Sequence, residues 1–163
     1  MVDDVVRNLG YLTLGTRFKR IGDRLQSDAT RIAAAHGVAI QSHQYPFLGA
    51  LGRFGPMTIG EMAEAVGITQ PGVTRGIGQL AKLGMVKVRP GRSDRRQRII
   101  SLTAAGRRQL ELGKKVVWPL VEAAVADLCS QLSGPLLDQL AALEEGLAAR
   151  PLDQRIDAAG RRR

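Results

Sequence analysis

Gly84–Gly106 reads G-M-V-K-V-R-P-G-R-S-D-R-R-Q-R-I-I-S-L-T-A-A-G. Val86 and Val88 alternate with Lys87 and Arg89, and Ile100 and Leu102 alternate with Ile99 and Ser101. This is the period-two pattern of half-buried strands. Pro90, Gly91, Ser93 and Asp94 supply the residues of a reversal, so the stretch predicts a β-hairpin. Six cations, Lys87, Arg89, Arg92, Arg95, Arg96 and Arg98, stand there against one acid, Asp94. Folding gives no reason for such a density of like charge, and a polyanion is its natural partner.

Upstream, Thr58-Ile59-Gly60-Glu61 has the form of a capping box. Ile59, Met62, Ala63 and Val66 then define the inward face of a two-turn helix that Gly67 terminates. After this tight turn Thr69 can cap a second helix with Pro71 in its first turn. Val73, Ile77, Leu80 and Gly84 fall on the expected inner side, and Gln70, Thr74, Arg75, Gln79 and Lys82 on the outer. Arg and Gln can make bidentate contacts to guanine and adenine, and Arg75 and Gln79 lie one turn apart. Gly72, Gly76 and Gly78 each cost this helix about 1 kcal/mol relative to alanine. Two readings cover them: bare backbone that lets the helix approach a duplex closely, or, at Gly76, room for close helix packing.

The flanks are helical. Leu14, Phe18, Ile21, Leu25, Ala29 and Ile32 recur at helical spacing in a stripe ending near His36-Gly37. Ser42–Leu51, with Pro46 in its first turn, is a shorter helix closed by Gly52 to Pro56. Thr103 caps a long helix running toward Leu132, with Leu110, Val117, Val121, Ala124, Val125 and Leu128 as apolar positions and a kink expected at Pro119. Leu136, Leu140, Leu143 and Leu147 mark a last helix after Ser133-Gly134-Pro135. Beyond Pro151 little apolar surface remains to hold a fold. The terminal stripes are longer than a lobe of about ninety residues needs, and a symmetric homodimer is the economical way to cover them.

Two short helices at a tight turn followed by a basic hairpin give the order of a winged helix-turn-helix. From about Leu9 to Ala149 the chain resembles the MarR family of bacterial transcriptional regulators, through T-I-G-E-M-A-E-A-V-G-I-T-Q-P-G-V-T-R, L-A-K-L-G-M-V and D-R-R-Q-R-I-I-S-L-T-A-A-G. The resemblance implies a mainly α fold with a β-hairpin wing. It implies 9–36 and 104–149 as a helical dimerisation region, 42–103 as the DNA-binding lobe, and 1–8 and 150–163 as flexible tails. Gln70, Thr74, Arg75 and Gln79 would enter the major groove. Asp94 and Arg96 match the family's D-x-R, the arginine meeting the minor groove or a phosphate, with Lys87, Arg92 and Arg95 on the backbone. Tyr11, Phe18, Tyr45, Phe47 and Trp118 would line an effector cavity, although core packing explains these aromatics equally well.

Composition narrows the alternatives. The chain has 163 residues, a formal net charge of +9 and one cysteine, Cys129, which excludes an intramolecular disulfide and suits a reducing cytoplasm. Cys129, amid Val125, Leu128 and Leu132, reads as a core residue. His36 and His43 match no zinc spacing, and His36 suits a helix C-terminus. No segment has the roughly 20 apolar residues of a membrane span, and the N-terminus does not read as a signal peptide. No catalytic constellation is apparent, and neither metal nor cofactor is expected. Together with these features, the family resemblance implies a cytoplasmic, homodimeric repressor of a pseudo-palindromic operator, responsive to a small molecule. The alternative is an architectural protein that binds DNA without sequence preference or effector.

Overall fold

The computed structural model describes residues 3–91 and 97–160, the last four by backbone alone. The chain falls into two compact units, Met1–Val121 and Glu122–Arg163. The fold is mostly helical with a small antiparallel sheet, as the sequence predicts.

The first unit begins with α1 (Val5–Asn8), a 3₁₀ turn (Gly10–Thr13) and α2 (Leu14–Ala35). The Asp4 carboxylate accepts two hydrogen bonds from the Arg20 guanidinium, at 3.1 and 3.0 Å, tying α1 to α2. These bonds hold the Asp4 carboxyl below its usual range, ahead of the opposing cost of desolvation. The C-terminal part of α2 carries the buried Ala29 and Ala33, whereas Phe18 and Ile21 remain 41% and 51% exposed. His36 ends the helix as expected, with Nδ1 2.8 Å from the Ile32 carbonyl oxygen.

A 3₁₀ turn, Ser42–Gln44, is bolted to α2. The Ser42 hydroxyl donates to the Gln26 carbonyl at 2.6 Å, and the Ser42 N–H donates to the Thr30 hydroxyl at 3.0 Å. Helix α3 (Tyr45–Phe54) follows with Pro46 in its first turn; Gly52 lies inside this helix, not at its close, and Gly55 ends it with φ +80°. Strand β1 (Met57–Thr58) leads into α4 (Ile59–Val66). The capping box forms as predicted: the Glu61 N–H donates to Thr58 Oγ1 at 3.1 Å and the Thr58 N–H to Glu61 Oε2 at 2.6 Å. Met62 is fully buried, and Ile59, Ala63 and Val66 pack against the core.

Helix α5 (Gln70–Lys82) starts at Thr69, whose hydroxyl accepts from the Gly72 N–H. Val73, Ile77 and Leu80 face the core, whereas Gly84 lies beyond the helix, exposed and with φ +69°. The expected inner face therefore stops at Leu80, because the chain reverses at Gly84 instead of continuing the helix. Gly76 is buried, and a β-carbon there would collide with the Phe47 ring. Close packing accounts for this glycine; Gly78 meets open space.

Strands β2 (Val86–Pro90) and β3 (Arg98–Leu102) form the predicted hairpin, with Val86 opposite Leu102 and Val88 opposite Ile100. Strand β1 adds to the other edge of β3, giving the order β1-β3-β2. Val86, Ile100 and Leu102 are buried, but Val88 is 36% exposed because β2 leaves the core after its first residue. Thr103 then caps α6 (Ala104–Leu112): its hydroxyl accepts from the Gly106 N–H at 3.0 Å and donates to the Gly84 carbonyl at 2.7 Å. A β-carbon on Gly106 would run into the Met85 carbonyl oxygen. The Thr and Gly of L-T-A-A-G thus lock α6 onto the turn between α5 and β2.

Regular helix is interrupted before Pro119 by a π segment, Gly113–Val117, which precedes α7 (Trp118–Cys129). Proline lacks the N–H that would close an ordinary turn onto the carbonyl four residues back, and that carbonyl, on Lys115, lies in the wider segment.

Helix α7 runs into the second unit, which continues with α8 (Leu136–Ala149) and α9 (Leu152–Gly160). No residue of α7 or α8 is buried. Leu128, Leu143 and Leu147 are 63%, 38% and 42% exposed, and Leu136 and Leu140 are half-buried. Cys129 is also half-buried, so the core position expected of it is not realised within one chain. Leu152–Gly160, in the stretch expected to lack apolar anchorage, are helical as α9. Arg155 supplies a polar anchor instead, donating to the carbonyls of Arg150 and Gly146.

Candidate nucleic-acid interface

Helices α4 and α5 meet at the tight Gly67 turn, with the basic hairpin following in the same compact unit. The apolar side of α5 is sealed by Val73, Ile77 and Leu80, so its polar positions face solvent. Gln70, Thr74, Arg75, Gln79 and Lys82 are all exposed, as predicted. They are not chemically equivalent. The Thr74 hydroxyl donates to the Gln70 carbonyl at 2.9 Å, leaving its oxygen to accept. Arg75 has no ion-pair partner among the described residues, so its guanidinium is available to an external acceptor.

Gln79 differs again. Its Oε1 accepts from Gln44 Nε2 at 3.3 Å, and Gln44 is only 2% exposed. Sequence reading did not single out Gln44. The one local signal is its place three residues after Gln41, whose N–H donates to Gln44 Oε1 at 3.1 Å.

On the hairpin, Lys87 pairs with Ser101 and Arg89 with Ile99. The alternation of strand side chains puts Lys87 and Arg89 on one face and Arg98, opposite Pro90, on the other. All three cations are exposed. The Gly91 N–H donates to the Gln97 carbonyl at 2.9 Å and ties the two ends of the tip together. The predicted wing residues Arg92, Asp94, Arg95 and Arg96 lie outside the described residues.

The aromatic residues predicted to line a cavity have different surroundings. Tyr11 is 93% exposed and Phe18 partly exposed, while Phe47 is a core residue against Gly76. Tyr45 and Trp118 do come together, with ring centroids 6.2 Å apart and planes at 56°. Among the described residues neither the Tyr45 hydroxyl nor Trp118 Nε1 has a hydrogen-bond partner, although both atoms are buried. Burial raises the Tyr45 pKa, so the phenol stays protonated and able to donate at neutral pH.

A capped helix pair, an exposed polar face on its second helix and a cationic β-hairpin define a winged helix-turn-helix protein. Residues 36–97 match the MarR family model. The chain is 31% identical over 99 residues to the transcriptional activatory protein BadR of Rhodopseudomonas palustris, an alignment covering 59% of this chain and 55% of that protein. It therefore spans about half the length of this curated relative. Among solved structures it is similar to the transcriptional repressor CouR bound to a 23-mer DNA duplex, at 29% identity, a TM-score of 0.62, and 86% and 95% coverage of this chain and that one. It shares its fold with a mutant MarR from E. coli complexed with operator DNA, at 19% identity, a TM-score of 0.66, and 90% and 98% coverage. The likeness to the MarR family thus rests on residues 36–97, and the solved structures share the fold over most of the chain. None of its described helices is long and apolar enough to cross a membrane.

Proposed function

We propose that this chain is a homodimeric, sequence-specific DNA-binding regulator that represses transcription by occupying a pseudo-palindromic operator. The observation that carries this reading is the exposed Gln70, Thr74 and Arg75 face of α5, adjoining in sequence a hairpin rich in cations. A helix of this kind fits the major groove, and the hairpin's cations suit the phosphates and minor groove beside it. Two such helices related by a dyad would address half-sites about 10 base pairs apart. The exposed apolar stripes of α2, α7 and α8 support the dimer, with 9–36 and 104–149 as its helical region and 42–103 as the reading lobe.

An effector would act by binding one arrangement of the dimer more tightly than another, since only differential affinity shifts such an equilibrium. The unpartnered Tyr45 hydroxyl and Trp118 Nε1 support part of the proposed Tyr11, Phe18, Tyr45, Phe47 and Trp118 pocket. A regulator of this kind needs neither catalysis nor a cofactor and works in the cytoplasm.

The test compares Arg75→Ala and Arg96→Ala by equilibrium DNA binding across salt concentrations and base substitutions. Arg75→Ala is expected to relax preference at one position in each half-site. Arg96→Ala is expected to weaken binding to all sequences and reduce the salt slope by about one. Wild-type affinity that depends on salt but not on sequence would instead identify an architectural DNA-binding protein.

A further inference from the structure

The bond between Gln44 and Gln79 carries information about which end of the Gln79 amide faces outward. Amide oxygen and nitrogen have the same shape and are assigned by their hydrogen-bond partners. Here the assignment begins at a backbone group that can only donate, the N–H of Gln41, 3.1 Å from the Gln44 side chain. The Gln44 atom meeting it must be the oxygen, so the other end of the buried amide, facing Gln79 at 3.3 Å, is the donating Nε2. The Gln79 atom receiving that bond must be its oxygen. Its Nε2 is the end left without a protein partner among the described residues.

We infer that buried Gln44 orients Gln79 so that α5 presents an amide donor to the DNA, making Gln79 a reader of acceptor-bearing base edges and Gln44 its positioning residue. The inference rests on the DNA-reading proposal above. It also changes the sequence-based expectation for Gln79. A bidentate contact to adenine uses the amide oxygen and nitrogen together, but the bond to Gln44 holds this oxygen toward a buried side chain. A single outward donor suits guanine, which offers N7 and O6, and thymine, which offers O4; it can meet adenine only through N7, beside the N6 donor, and is mismatched with the N4 donor of cytosine.

Gln44 is held from several sides. Its main-chain N–H donates to the Gln41 carbonyl at 2.9 Å, and the Ser42 turn that contains it is hydrogen-bonded to Gln26 and Thr30 of α2. The orientation of a side chain on the reading face is therefore set from the buried edge of another element. The next residue, Tyr45, packs on Trp118, so movement there has a short covalent route to the reading face.

The experiment measures binding of the full-length protein to duplexes carrying each base pair at every position of its selected site. Comparison with Gln79→Ala identifies the position that Gln79 reads. The wild type is expected to favour guanine or thymine over cytosine there by about 3- to 10-fold, the value of one net hydrogen bond, without singling out adenine. Gln79→Glu keeps an oxygen for Gln44 but turns an acceptor outward. It should lower affinity for every duplex and shift the relative preference at that position toward cytosine. Gln44→Met, checked for folding by thermal melting, should flatten the preference at the same position while leaving affinity for non-specific duplex unchanged.

A wild type that singles out adenine, or a folded Gln44→Met that keeps the full preference, overturns the inference while leaving the DNA reader standing. If Gln44→Met fails to fold, Gln79→Glu decides alone: an unchanged relative preference overturns the inference. A wild type with no sequence preference at any position removes the DNA-reading proposal itself.

Discussion

The winged lobe and the terminal helices solve the same problem in different ways. In the lobe, Leu48, Met62, Val73, Leu80 and Ile100 disappear from solvent within one chain. In α7 and α8 no residue does, although both are rich in leucine and alanine. The first region is a finished core carrying an exposed polar face. The second is an apolar surface in need of a partner, which the proposed homodimer would supply from a second copy, with the symmetry that a palindromic site demands. On the proposed function, completeness within one chain would mark the reading surface, and incompleteness the assembly surface.

The largest expected effect comes from making the incomplete surface polar. Leu143→Glu combined with Leu147→Glu should convert the protein to a monomer by sedimentation and lower operator affinity at least about 100-fold, because two linked half-sites become two independent ones. A dimer that survives these changes would move the interface elsewhere and break the contrast.

The finished core is tested by its closest approach. Gly106→Val forces a side chain into the Met85 carbonyl and should cost about 3 kcal/mol or more in denaturant unfolding. Gly78→Ala, at a glycine facing open space, should instead gain up to about 1 kcal/mol. Equal effects at the two glycines would mean that the lobe is not tightly packed at the α6 junction.

The smallest effect concerns the cap of α4. Thr58→Ala should cost about 1 kcal/mol near neutral pH. The Thr58 N–H holds the Glu61 carboxyl below its usual pKa, so the charged form stabilises the folded lobe. That contribution is fully present above the unfolded-state pKa, about 4.3, and is lost as pH falls through the lower folded-state value. The stability difference between wild type and Glu61→Ala should therefore shrink on acidification. A difference that stays constant with pH would show that the carboxylate does not serve as the cap.

What could be read from the sequence follows the reach of each interaction. The capping box at Thr58, the cap at Thr69 and the two alternating strands of the hairpin are specified within a few residues, and the structure has them as predicted. Strand β1 was missed because two residues carry no periodic pattern and gain strand geometry only by pairing with Ile99 and Ile100, some forty positions later. Gln44 escaped for the same reason: the partner that gives it meaning is 35 residues away. Val88 alternates correctly yet stays partly exposed, since period alone does not say where a strand leaves the core. Of the candidate interface, the exposed residues of α5 were legible. The orientation of Gln79 was not, because it depends on a buried bond between separate elements.

The central claim, that two copies of this lobe read DNA sequence together, is tested most directly by selecting bound duplexes from a random pool with the purified protein and sequencing them. The account predicts enrichment of one inverted repeat whose half-sites are centred about 10 base pairs apart. Bound duplexes with no common sequence, or with a single unrepeated half-site, would contradict it.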